Sequence, residues 1–209
     1  MEKKIYGDPS SINVLIQPVD DYEGLESEAA YIRREYGEDF CLVTFRVDDW
    51  DDDLSPWEAP AVFGNRAFGG NAHKTLDLIL KETAAGGRNH YVGGYSLAAL
   101  FALWAVTQSD AFKGAACASP SVWFPGFTAH LKENGVRTGL VYLSLGDREE
   151  KTRNQTMATV GERIRFIAAW LRSKDITCIL EWNEGNHFKD ADIRTAKAFV
   201  WLLKQDRNS

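Results

Sequence analysis

The stretch HYVGGYSLAALFALWAV, His90 to Val106, changes character at one residue. Up to Tyr95 it is a short β-forming run carrying two glycines. After Ser96 it is apolar on nearly every face of a helix. A serine at that corner has no packing task that alanine could not perform. Gly94-Tyr95-Ser96-Leu97-Ala98 sets it between small residues two before and two after. A strand-to-helix turn sharp enough to lift the hydroxyl clear of the backbone brings those two positions nearly into contact, so only small side chains fit. The helix from Leu97 then offers a backbone N–H and a positive dipole end to an oxyanion forming at the serine. Ala98 stands where the usual pattern has a second glycine, a change the geometry tolerates. The same string also reads as a plain helix N-cap.

Outward from that corner the chain alternates. Ile12–Val19 and 39–47 read as strands, with helix 25–36 between them and Gly37 as its stop. An irregular segment, 48–70, leads to a helix over 71–87, with Asn71 as N-cap and Gly86 as stop. Strand 90–95, helix 97–108, strand 114–119 and a short helix at 128–134 follow. Strand 139–146, helix 156–174, strand 177–183 and helix 193–204 complete the chain. Val160, Ile164, Ile167 and Leu171 share one helix face by their spacing. This rhythm predicts one α/β domain over residues 1–209: a mostly parallel sheet of about six strands with helices on both faces. Ligands of such sheets sit at the carboxyl ends of the strands, where Ser96 stands.

The bulk composition suits this reading. A chain of 209 residues with 44% hydrophobic and 26% charged residues can bury a single core. A net charge of -6 argues against a nucleic-acid or anionic-membrane surface. The longest apolar run, Leu97–Val106, is about half of what a bilayer crossing needs. The start, MEKKIYGDPSS, lacks the apolar stretch of a secretory signal. Cys41, Cys117 and Cys178 each lie in a strand-like run, which reads as buried reduced thiols in a cytoplasmic protein. No Cys/His spacing suggests a metal site, and no cofactor is expected.

A nucleophilic serine needs a base, and the base needs an orienting acid. In α/β-hydrolases these follow in the order serine, acid, histidine, on loops after later strands. After strand 139–146 comes DREEKT, with Asp147, Glu149 and Glu150; after the last strand comes EGNHF, with His187. Glu149 has the usual offset from a glycine, but all three acids remain open. His73 and His130 fall in helices and His90 at the wrong end of a strand, which leaves His187. The oxyanion donors would be the Leu97 amide and one from the loop after the first strand, at Asp20 or Asp21.

GGYSLAAL, SPSVWFPGF, LSLGDREEKT and EGNHF, in that order, resemble the esterase D-like branch of the α/β-hydrolases from about Ile12 to Leu203. The resemblance implies a serine esterase working through an acyl-enzyme on a small-molecule ester. Ser96 would be its nucleophile, His187 its base and then acid, and Glu149 its orienting acid. The chain departs from the family in that only about eleven residues precede the first strand. The amino-terminal strands of the larger fold are therefore expected to be missing, leaving a minimal sheet of about six strands and no large cap domain. Relatives cleave quite different esters, siderophore and sugar esters among them, so the substrate is not fixed. Thioester or peptide cleavage by the same triad, and a non-catalytic binding module on the same fold, remain as alternatives.

In DDWDDDLSPWEAP, Asp49, Asp51 and Asp53 alternate as in a calcium loop. Leu54 and Pro60, however, stand where an EF-hand needs Gly and Glu, so the segment reads as a solvated acidic loop. Its acids would repel anionic substrates. Trp50 and Trp57 in this loop, with Trp123 in SPSVWF, read either as an aromatic wall for the substrate or as packing.

Overall fold

The structure is a computed structural model, and it describes residues 2–83 and 86–206. Its main sheet has seven strands in the order β1-β3-β2-β6-β7-β8-β9. These are β1 (Glu2–Gly7), β2 (Asn13–Val19), β3 (Cys41–Arg46), β6 (Asn89–Tyr95), β7 (Gly114–Ala118), β8 (Leu140–Gly146) and β9 (Thr177–Asn183). A second ladder of two strands, β4 (Glu58–Ala59) and β5 (Phe68–Gly69), lies in the long segment after β3. The helices are α1 (Leu25–Tyr36), α2 (Trp50–Asp53), α3 (Ala72–Thr83), α4 (Leu97–Gln108), α5 (Phe127–Asn134), α6 (Val160–Arg172) and α7 (Ala191–Asp206).

The expected parallel core is present: β2, β3, β6, β7, β8 and β9 run parallel. The sheet has one more strand than the sequence suggested. β1 pairs antiparallel with β3, from Glu2 opposite Arg46 to Gly7 opposite Cys41. Its residues Glu2 to Ile5 are exposed. An edge strand of this kind carries charge, which discourages pairing with other chains, and that charge hid it from a hydrophobic-pattern reading.

The central strands alternate between two cores, as a two-sided sheet requires. Val14, Ile16, Val43, Val92, Cys117, Val141 and Leu143 face the layer of α3, α4 and α6. Leu15, Leu42, Tyr91, Ala116 and Tyr142 face α1 and α7. α4 is buried from Leu97 through Thr107, which explains a helix without a polar face. On α6 the four residues placed on one face by their spacing are all buried. α3 is described to Thr83, and its predicted stop, Gly86, has φ 39°, in the left-handed region that favours glycine; residues 84 and 85 between them lie outside the described residues. No helix among the described residues is long and apolar enough to cross a membrane.

The segment after β3 is more ordered than an acidic loop. The Asp49 carboxylate caps α2 by accepting from the Asp52 amide at 3.1 Å, and Asp53 accepts from the Asp48 and Asp49 amides. Arg66 pairs with Asp49 and with Asp52. Most of these acids therefore hold their own segment together.

Candidate active site

Register aligns the site. Tyr95 lies beside Ala118, Ala118 beside Ser144, and Ser144 beside Glu181. The carboxyl ends of β6 through β9 thus share one rim. Ser96 follows β6 directly, Ser119 follows β7, Glu149 follows β8 by three residues, and His187 follows β9 by four.

At the first of these ends the backbone turns as the small residues demanded. A Cβ on Gly94 would stand 2.7 Å from the Cβ of Ala98, so the two positions do nearly touch. Ser96 has φ 56° and ψ -117°, a conformation L side chains rarely adopt. Such strain costs on the order of 1–3 kcal/mol. The surroundings hold it: the Ser96 amide donates to the Ala118 carbonyl, and its carbonyl accepts from the Leu100 and Ser121 amides.

The structure brings Ser96, His187 and Glu149 into one chain of hydrogen bonds. Ser96 Oγ lies 2.9 Å from His187 Nε2. His187 Nδ1 lies 2.7 Å from Glu149 Oε2. The other carboxylate oxygen accepts from Ser119 Oγ at 2.7 Å, the Gly146 amide at 2.6 Å and Arg194 Nη1 at 3.0 Å. The Glu149 side chain is only 4% exposed. Burial alone would raise its pKa; the bonds from His187, Ser119 and Gly146 outweigh burial and hold it below the ordinary carboxylate value.

The neighbouring acids have other tasks. Asp147 Oδ1 accepts from the Gly185 amide at 2.8 Å, and the Arg148 amide donates back to the Gly185 carbonyl. These bonds fasten the loop after β8 to the loop that carries His187. Glu150 makes a two-bond pair with Arg165 of α6.

Several residues of this arrangement carried no obvious signal in the sequence. Arg194, 2% exposed, also donates to Tyr95 Oη and to the Glu184 carbonyl. Tyr95 in turn donates to the His187 carbonyl at 2.8 Å. Arg194 could have been suspected, since it stands four residues before Ala198 on an otherwise apolar face of α7. Ser119, with φ 46°, and Ser121, whose Oγ lies 3.3 Å from Ser96 Oγ, had no comparable mark.

The Leu97 amide begins α4 and so lacks an intrahelical acceptor, and Leu97 lines the same cavity as Ser96. Asp20 and Asp21 line a recess of about 240 Å³ that also reaches Ser96 and Trp50. The Asp21 amide donates to the Asp20 carboxylate at 2.9 Å, so of the two it is the one already engaged.

Above Ser96 and His187 lies a cavity of about 320 Å³, walled by Trp50, Phe63, Phe68, Leu97, Trp123, Met157 and Phe188. Two of the three tryptophans singled out in the sequence, Trp50 and Trp123, line it. Trp57 does not. Its indole N–H donates to the Pro125 carbonyl at 3.0 Å, and its ring packs on Phe124 and His130, which fixes it over α5. Phe63 and Phe68 supply the aromatic surface that Trp57 was expected to give.

No protein-family model and no curated protein matches the chain. Solved structures do. The siderophore hydrolase EstB from Aspergillus nidulans superposes with a TM-score of 0.68 at 15% identity, covering 92% of this chain and 83% of EstB. The Bacillus cereus carboxylesterase gives 0.60 at 16%, covering 98% and 94%. The enterobactin esterase FES from Shigella flexneri gives 0.65 at 16% and covers 97% of this chain, which spans only 55% of that one. At such identities the likeness speaks for architecture. The chain has the α/β-hydrolase fold.

Proposed function

We propose that the protein is a serine hydrolase that cleaves a carboxylic ester of a small molecule through an acyl-enzyme intermediate. The observation that carries this reading is the unbroken path Ser96 Oγ–His187 Nε2–Glu149 at 2.9 and 2.7 Å, with the serine held at a strained turn. The esterases among the structural neighbours support it. So does the apolar cavity directly above the hydroxyl.

In the first step His187 Nε2 takes the Ser96 proton while Oγ bonds to the ester carbonyl carbon. The carbonyl oxygen becomes an oxyanion and accepts from the Leu97 amide and a second amide in the loop after β2, at Asp20, or at Asp21 once its amide leaves the Asp20 carboxylate. Glu149 stabilises the imidazolium through Nδ1–H. The tetrahedral intermediate collapses, the C–O bond to the alcohol breaks, and the alcohol leaves with the proton from Nε2. Water then attacks the acyl-enzyme with His187 as base, releasing the carboxylic acid and restoring Ser96. Among the described residues Cys41, Cys117 and Cys178 are free thiols, the first two buried and the third only partly so. Burial raises each above the ordinary thiol value, as in inert structural cysteines, and we place the protein in the cytoplasm on that cysteine usage.

The test is intact-mass spectrometry after incubation with a fluorophosphonate, on wild type, Ser96→Ala and His187→Ala. One adduct on Ser96, absent in the first variant and slowed in the second, supports the reading. Folded wild type that takes up no adduct and cleaves no ester overturns it in favour of a binding module. A leaving-group series then separates esters from thioesters and amides.

A further inference from the structure

The space around Ser96 divides by charge. On the β2 side, the recess that reaches Ser96 is lined by Asp20, Asp21, Glu23 and Asp192. On the opposite side, beyond His187, a recess of about 220 Å³ is lined by Arg148 and Lys151 over a floor of Pro120, Trp123 and Met157. We propose that this second recess holds an anionic group carried by one half of the substrate, an inference that rests on the hydrolase reading above.

The two cations are available. Among the described residues neither the Arg148 guanidinium nor the Lys151 ammonium has an ion pair, whereas Arg66, Arg165, Lys189 and Lys197 are each bonded to a carboxylate. In a chain of net charge -6, the recess that His187 lines thus carries two cations free to meet an anion. Of the other polar lining, Thr152 Oγ1 carries a hydroxyl proton and Asn186 an amide NH₂, while the Glu149 carboxylate, which also lines the recess, is taken up by His187, Ser119, the Gly146 amide and Arg194. The repulsion expected from the acidic segment 49–53 is reduced, because Arg66 pairs with Asp49 and Asp52 and offsets one of their two charges.

Opposite charge on the two sides gives an anionic ester one favourable orientation. Its charged half lies toward Arg148 and Lys151 and away from the carboxylates of Asp20 and Asp192, with its carbonyl over Ser96 and its neutral half on the acidic side. The floor of Trp123 and Met157 takes the carbon chain between carbonyl and anion. The substrate class is thus a carboxylic ester bearing a carboxylate, or an equally compact anion, several atoms from the scissile bond.

Two substrate pairs test which half carries the charge: 4-nitrophenyl hydrogen glutarate against 4-nitrophenyl pentanoate, and 3-acetoxybenzoate against 3-acetoxybenzamide. In one pair wild type should favour the anionic member in kcat/KM by about tenfold at low ionic strength. That ratio should shrink as salt is raised, since the contacts are exposed, and should invert in Arg148→Glu/Lys151→Glu. A ratio at or below one in both pairs, or one that charge reversal leaves unmoved, overturns the proposal. If wild type cleaves none of the four, the fluorophosphonate adduct decides the hydrolase reading, and calorimetry decides the recess separately. Glutarate should then bind wild type and not the doubly reversed variant, and equal binding to both, or to neither, refutes it.

Discussion

Arg194 Nη1 lies 3.0 Å from Oε1 of Glu149, the carboxylate oxygen that does not bond His187. Both side chains are almost fully buried, at 2% and 4% exposure. The pair joins the helix after the histidine loop to the loop after β8, while the Tyr95 hydroxyl links the same guanidinium to the His187 carbonyl. Removing one partner of a buried pair leaves an uncompensated charge, at a cost of about 3–5 kcal/mol. Arg194→Met should lose stability on that scale in urea unfolding, and its folded fraction should turn over ester more slowly. Arg194→Lys should recover part of the stability but less of the rate, because an ammonium cannot hold Tyr95, Ser119 and Glu149 in one plane. Wild-type rates in Arg194→Met would show that α7 does not position the site.

How much of this was legible beforehand follows from which contacts are local. The elbow is a matter of five consecutive residues, so GYSLA announced it. The parallel strands announced themselves through apolar runs buried on both faces. β1 was lost because an edge strand is written in charges, and the β4–β5 ladder because two residues hold no periodicity. For Trp57 the sequence left wall and packing both open, because it shows that a tryptophan is large and half-polar, not which carbonyl its N–H will find. Arg194 and Ser119 act across the sheet, and such contacts leave only a weak trace in the chain.

The choice among the three acids is open to mutation. Glu149→Gln should reduce kcat by roughly 10²- to 10⁴-fold, since the amide no longer fixes the His187 tautomer or balances the imidazolium. Glu150→Gln gives up only a half-exposed pair with Arg165, a loss of about 0.2–1 kcal/mol with activity retained. Asp147→Asn should sit between, because its carboxylate fastens the histidine loop through the Gly185 amide. Steady-state kinetics and unfolding on the three variants check the order, and a Glu150 variant slower than the Glu149 variant contradicts it.

The elbow makes a prediction about compensation. The Cβ of Gly94→Ala would meet that of Ala98 at 2.7 Å, an overpacking worth about 1–3 kcal/mol, and the shift it forces falls on Ser96. Ala98→Gly opens the same space at a helix-propensity cost of about 0.5–1 kcal/mol. The double variant should therefore be more active than Gly94→Ala alone, with a coupling energy of restoring sign in a double-mutant cycle on kcat. Additive effects would mean that the two positions do not share the clash.

Glu28 gives a pH dependence of stability that is independent of catalysis. It is 1% exposed on α1, bonded by Gln17 Nε2 at 3.3 Å, and burial raises its pKa from 4.5 to about 8. Between those values the folded protein holds a proton that the unfolded chain has released. Raising the pH through this window therefore favours unfolding, by up to about 1.4 kcal/mol per pH unit. Above about 8 the carboxyl is ionised in both states and the loss is complete. Glu28→Gln keeps the shape of the neutral acid and a hydrogen-bonding partner for Gln17, but has no proton to lose. The wild-type urea midpoint should fall relative to that of the variant between pH 5.5 and 8.5, the gap being set by this carboxyl alone. Parallel curves across that range would place the Glu28 titration elsewhere and refute the assignment.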